Sequence, residues 1–212
     1  MTITSPHNEH LKEIRKLNQR RRERERSGRF VAEGEDLLAA ADAAGWEAVE
    51  RYAAAGSGLP GTEVEPRILN AASELGSGTR TLAVYAERWA PAVTGPLCIY
   101  LHGVHDPGNI GTILRSAEAF GASGVAFGPG TADPFGPKAV RASMGAVFTV
   151  PLARAQADLA ALPGRTIALD GAAPMPLHAA DYVAQIPIHS HSLNAAMAAT
   201  VALYEASRMA RG

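Results

Sequence analysis

Along this chain apolar residues recur at three- and four-residue steps in some stretches and at alternate positions in others, and glycine, proline and polar residues separate the two kinds. Residues 9–26 read as one helix, with Leu11, Ile14 and Leu17 or Asn18 on its packed side. Residues 28–34 read as a short strand ending in a turn, and 35–44 as an alanine-rich helix stopped by Gly45. A strand or sheet edge over 46–53, a short helix over 66–75 and an alternating strand over 81–86 follow. Residues 89–96 carry Pro91, Gly95 and Pro96 without periodicity and read as a linker. Beyond it, strands at 97–101, 124–127, 147–150 and 166–169 are interleaved with helices at 110–120, 137–144, 156–162 and 193–209. Alternation of that kind predicts a parallel sheet flanked by helices. The layout is therefore an α/β chain of two domains, 1–88 and 97–212, with no internal repeat.

Composition narrows this only a little. A chain of 212 residues, 47% of them apolar, can bury one or two well-packed cores. No run of about 18 apolar residues suggests a membrane span, and the first residues lack the charged start and apolar core of a secretory signal. The single cysteine, Cys98, cannot close an internal disulfide, which fits a reducing, cytoplasmic setting. It lies in the apolar run Leu97–Leu101, where packing explains it. No metal site is expected, since His189 and His191 are two apart with no third ligand nearby.

Charge changes the picture more. Lys12, Arg15, Lys16, Arg20, Arg21, Arg22, Arg24, Arg26 and Arg29 face only four carboxylates in the first thirty residues. The whole chain carries −1, so this excess of about five cations leaves the remainder acidic. A solvated helix laced with Glu–Arg pairs would account for some of the pattern. The arginine excess favours a phosphate-binding surface, because a guanidinium fork matches phosphate oxygens in pairs.

Two stretches carry the candidate chemistry. Asn109-Ile-Gly-Thr-Ile-Leu-Arg115-Ser-Ala-Glu-Ala-Phe-Gly121 and Ile186-Pro-Ile-His-Ser-His-Ser192-Leu-Asn194 each run from a turn into a helix. Each thus sets unpaired backbone N–H groups and polar side chains at a helix start. The two stretches resemble the first and third signature motifs of the SpoU (TrmH-type) RNA 2′-O-ribose methyltransferases. Residues 5–36 resemble the start of the small substrate-binding domain that many of these enzymes carry, and Gly128–Ala146 also follows the family's sequence. The resemblance implies an L30e-like domain over 1–88, the fold of a class of RNA-recognising ribosomal proteins. It implies a knotted, SPOUT-type parallel-sheet methyltransferase domain over 97–212, with a deep trefoil knot, S-adenosylmethionine as cofactor and a homodimer. RNA is the implied partner, ribosomal rather than transfer RNA, with no membrane involved.

Site residues follow from the same resemblance. Arg115 matches the arginine that activates the ribose hydroxyl. A guanidinium is a poor base, with a pKa above about 12, but it can stabilise an alkoxide or position a phosphate that assists. Asn109, Ser192 and Asn194 match positions near the reacting atoms. Leu169, Gly171, Ile186, Ile188 and Leu193 match the cofactor wall, where Pro187 and Ile188 would lie against a flat adenine. Lys12, Arg15, Lys16, Arg20, Arg21, Arg22, Arg29 and Arg141 would meet RNA, as Lys138 could. Plainer roles compete: Asn109 or Ser192 as helix caps, Arg115, Lys138 and Arg141 as solvated charges, and Leu193, Met197, Val201 and Tyr204 as core or dimer contacts.

One family feature has no counterpart. The second motif, a Gly-Glu-rich loop walling one side of the cofactor, should fall between 169 and 186. Only fourteen residues, two of them proline, separate Gly171 from Ile186, too few for a strand, that loop and the helix after it. Either a segment is lost from the sequence as written, or a true deletion has impaired the pocket. Methylation of a ribose 2′-hydroxyl is the first reading of function, and a catalytically impaired RNA-binding homologue is the alternative.

Overall fold

In the computed structural model the described residues are 2–75, 78–155, 166–169, 182–184, 186 and 193–209. In chain order they form α1 (Glu9–Gln19), α2 (Arg21–Ser27), β1 (Arg29–Glu33), α3 (Glu35–Ala43), β2 (Glu50–Ala54), β3 (Thr62–Val64), α4 (Pro66–Ala72) and β4 (Thr81–Ala86). There follow β5 (Cys98–Leu101), α5 (Pro107–Ala119), β6 (Gly124–Phe127), α6 (Pro137–Ser143), α7 (Ala146–Thr149), β7 (Leu152–Arg154), β8 (Ile167–Leu169), β9 (Tyr182–Ala184) and α8 (Ala195–Met209). These pack as two units that are not successive stretches of chain. One comprises Met1–Arg88 and Asp133–Thr149, the other Trp89–Ala132 and Val150–Gly212.

In the first unit the sheet runs β1-β4-β2-β3, with β2–β3 parallel and the other pairs antiparallel. Side chains alternate across it. Val31, Leu82 and Val84 join Leu11, Ile14 and Leu17 of α1 and Ile68 and Leu69 of α4 in one core. The neighbouring residues Phe30 and Tyr85 enter an aromatic cluster with Trp46, Phe135 and Phe148. The indole N–H of Trp46 donates to the Phe148 carbonyl at 2.8 Å. Residues 133–149 thus supply two of five rings to a cluster otherwise built from the first 88 residues.

The continuous helix expected over 9–26 is broken. Arg20 is extended (φ −128°, ψ 110°), and α2 starts anew after it. The break brings Arg24 back over the end of α1, where its guanidinium donates to the Leu17 and Asn18 carbonyls that the helix leaves unpaired. The strand expected over 147–150 is also corrected: residues 146–149 are the helical turn α7, and the strand comes later as β7. Ser143 sets that turn, its hydroxyl accepting the Val147 N–H. The helix expected over 156–162 lies outside the described residues.

In the second unit β5, β6 and β7 form a parallel sheet in that order, and β8 and β9 form a separate parallel pair. Residues 89–96 are more than a connection, since Ala90 bridges to Ala153 and donates to the Leu152 carbonyl at 2.7 Å. Cys98 opens the edge strand β5 and is exposed rather than packed, a correction that follows from its place at the sheet margin. β9, within the stretch after 169, was not anticipated. The expected trefoil knot depends on the path of the chain after β8, much of which lies outside the described residues.

Candidate active site and nucleic-acid interface

α5 leaves the carboxyl end of β5 through residues 102–106, so its N-terminus lies at the edge of the parallel sheet where α/β folds place their ligands. Its cap is Asp106, whose carboxylate accepts the Asn109 N–H at 3.0 Å, with Pro107 in the first turn. Asn109 is therefore not the cap that its sequence context allowed; it sits one turn inside. The Asp106-Pro107 pair was a legible signal for this start. Ile110, Ile113, Leu114 and Ala117 bury the opposite stripe of α5.

α8 lies alongside α5 and runs the same way. Asn109 meets Asn194, Ser116 meets Thr200 hydroxyl to hydroxyl at 2.6 Å, and Phe120 meets Tyr204 edge-on at 5.9 Å. The chain offset barely changes along the pair, as parallel helices in register require. Both helix starts therefore lie at one end. There the Asn194 amide Nδ2 donates to Asn109 Oδ1 at 3.1 Å, and Asn194 Oδ1 accepts the Ala196 N–H at 2.8 Å. Asn194 thus caps the start of α8. Arg115, two turns along α5, is exposed, and its guanidinium has no hydrogen bond or ion pair with any described residue. Asn109, Arg115 and Asn194 hence share one helix pair, while Ser192 lies outside the described residues.

Among the cofactor-wall candidates, Leu169 ends β8 opposite Ala184 of β9 and is 40% exposed. Ile186 comes two residues beyond β9, and Leu193 immediately precedes the α8 cap; both are half-buried. Gly171 and Ile188 lie outside the described residues, as do His189 and His191. Among the described residues no group of three or more His, Cys, Asp or Glu could hold a metal ion.

The loop beyond β5 also carries His102 and His105, which sequence reasoning passed over. The Tyr100 hydroxyl lies 3.3 Å from His102 Nδ1, and burial raises its pKa, keeping its proton. A Cβ at Gly128 would collide with that hydroxyl.

The basic stretch is less uniform than its sequence. Lys12 pairs with Glu9, Arg21 with Glu25, Arg26 with Glu23 and Arg29 with Glu13. The bond from Arg26 holds the Glu23 carboxyl below its ordinary range. Arg15 donates to the Pro6 carbonyl. Arg24 is 6% exposed and bonds Asp133 at 2.7 Å, so it is unavailable to a ligand. Lys16, Arg20 and Arg22 are exposed with no partner among the described residues, as is Arg141 on α6. Arg67 on α4 is likewise exposed with no hydrogen bond or ion pair among the described residues, so these four are not the first unit's full set of open cations.

Residues 96–164 match the SpoU rRNA Methylase family, and residues 8–59 match the MRM3-like substrate binding domain. The 23S rRNA (guanosine(2553)-2′-O)-methyltransferase RlmP of Bacillus subtilis is 29% identical over 161 residues, covering 72% of this chain and 64% of its own length. The chain spans less than two thirds of the curated relatives of this kind that it matches. An AdoMet-bound rRNA methyltransferase from Sinorhizobium meliloti superposes with a TM-score of 0.85 at 28% identity, covering 99% of this chain and 98% of that one. The SpoU methyltransferase AviRb from Streptomyces viridochromogenes, in complex with AdoMet, superposes at 0.81 with 25% identity, covering 97% of this chain and 99% of that one.

Proposed function

We propose that this chain, SpoU-type over residues 96–164 and MRM3-like over 8–59, methylates a ribose 2′-hydroxyl of RNA with S-adenosylmethionine, ribosomal RNA before transfer RNA. The observation that carries the reading is the Asn194–Asn109 bond, which joins the two motif-bearing helix starts, one of them on the helix that also carries the exposed Arg115. Bound at the site, the cofactor supplies an electrophilic sulfonium methyl. The ribose hydroxyl would give its proton to an assisting RNA phosphate, and its oxygen would take the methyl as the carbon–sulfur bond breaks and the neutral thioether leaves. Negative charge thus builds on the oxygen as the proton departs and is consumed as the methyl arrives. Arg115, with no carboxylate to neutralise it, is free to stabilise that charge or to hold the phosphate that assists. Leu169, Ile186 and Leu193 would hold the adenine, with Gly171 and Ile188 in the same wall.

RNA itself is assigned to the first unit. Lys16, Arg20, Arg22 and Arg141 can take phosphate oxygens without giving up an ion pair, so they lead the expected contacts. Lys12, Arg15, Arg21 and Arg29 join only by exchanging partners. Residues 1–88 act as the substrate-binding domain in this reading and 97–212 as the methyltransferase domain. Met197, Val201 and Tyr204 leave an apolar stripe open along α8, which supports pairing of two copies. No helix among the described residues is long and apolar enough to cross a membrane, and we place the enzyme in the cytoplasm with its ribosomal substrate.

The short stretch between β8 and α8 favours one competitor, a homologue that binds RNA without turning over. Calorimetry with S-adenosylhomocysteine and transfer of labelled methyl to ribosomal and transfer RNA separate the two. Cofactor binding with label in ribosomal RNA supports the enzyme. RNA binding without cofactor binding or label supports the competitor and rejects the enzyme.

A further inference from the structure

The two asparagines form a chain of defined polarity. The Ala196 N–H belongs to the backbone and can only donate, so the Asn194 atom that accepts it must be Oδ1. The other end of the Asn194 amide is then Nδ2, a donor, and the Asn109 atom facing it must be an acceptor, Oδ1. Asn109 is left with Nδ2, whose two N–H groups have no partner among the described residues. The orientation of Asn109 is therefore dictated from the backbone of α8, two hydrogen bonds away.

We propose that Asn194 is a positioning residue that acts through Asn109, holding its amide so that it presents N–H donors, never its oxygen, to the ribose oxygen that receives the methyl. The inference rests on the methyl-transfer reading above for the identity of that oxygen. Negative charge forms on the acceptor oxygen as its proton leaves, ahead of the methyl's arrival, so a donor fixed in advance eases that deprotonation, whereas a carbonyl oxygen in the same place would repel the anion. An unconstrained asparagine would present either atom. Fixing one orientation removes the unproductive half of the population and the cost of choosing.

Asp and Asn cap helices about equally well, and this makes the test selective. In Asn194→Asp the carboxylate still accepts the Ala196 N–H but has no donor for Asn109. The Asn109 amide must then turn its own Nδ2 inward and show Oδ1 to the substrate. In Asn194→Ala the Asn109 amide is merely released. The expected order of kcat is wild type, then Asn194→Ala, then Asn194→Asp, the last reduced about 10²–10³-fold, the usual cost of losing one oxyanion donor. KM for RNA should change little. Asn109→Asp should match Asn194→Asp, and combining Asn194→Asp with Asn109→Ala should lose no more than Asn109→Ala alone.

A second reading of the same variants needs no turnover. In ¹⁵N-labelled protein the Asn109 side-chain amide signals should move to hydrogen-bonded positions in Asn194→Asp and not in Asn194→Ala. Wild-type kcat in Asn194→Asp, as a pure cap would give, overturns the proposal, as does an unmoved Asn109 signal in that variant. A wild type without turnover but with the expected signal change would sink the methyl-transfer reading and leave the amide orientation standing.

Discussion

Arg20 and Arg24 are four residues apart, and burial alone assigns them different work. Arg24, held by Asp133 and two helix-end carbonyls, is part of the core. Arg24→Ala leaves the partly buried Asp133 carboxylate without its counter-charge, which costs up to about 3 kcal/mol and should show as a lowered melting temperature. Lys16, Arg20 and Arg22 should behave in the opposite way. Their triple Gln variant should melt like wild type but bind RNA less tightly. Its slope of log affinity against log salt should fall by about 0.7 for each phosphate of a single strand that is no longer neutralised. An unchanged slope would return these three to solvent. In the proposed mechanism Arg115 belongs with the functional residues, so Arg115→Ala should shift stability by no more than about half a kcal/mol. Turnover should drop by orders of magnitude, each tenfold being about 1.4 kcal/mol of barrier. Equal turnover in the variant would remove Arg115 from the mechanism.

At the scale of elements, α8 is the most open to test. Met197 is 58% exposed, Val201 41% and Tyr204 49%, at the three- and four-residue steps of one helix face. If that face pairs two copies, Val201→Asp should turn a dimer into a monomer in sedimentation at micromolar concentration. A wild-type monomer would reject the pairing. The same helix was plain in the sequence, as were α3, α5, β4 and β6, because each carries a full period of apolar positions between turn residues. Elements whose cause is tertiary were not. The break at Arg20 brings Arg24 to Asp133, a partner 109 residues from Arg24 that no local pattern can reveal. Residues 147–150, Val-Phe-Thr-Val, have strand-forming side chains, yet the Ser143 hydroxyl and the burial of Val147 and Phe148 hold them in a helical turn. The site was legible in part. Arg115 and the two asparagines stood out by their resemblance to the family's motifs, and Asp106-Pro107 was a readable start for α5, but the bond that joins Asn194 to Asn109 across 85 residues was not.

For the whole molecule, the discontinuous first unit has a direct consequence. A fragment of residues 1–88 lacks Phe135 and Phe148, both buried against Phe30, and also lacks the partner of Arg24. Each aromatic removed from a core costs about 3–5 kcal/mol, against a total stability of about 5–15 kcal/mol for a domain. The fragment should lack a cooperative thermal transition, and a sharp transition in it would show that residues 133–149 are dispensable. The central claim, methyl transfer to a ribose hydroxyl at the α5–α8 helix starts, is tested most directly by the product. Ribosomal RNA incubated with the protein and labelled S-adenosylmethionine is digested to nucleosides, and the label is located. A labelled 2′-O-methylnucleoside that disappears in Arg115→Ala is the predicted result; label on a base, or ribose label that persists in Arg115→Ala, would contradict it.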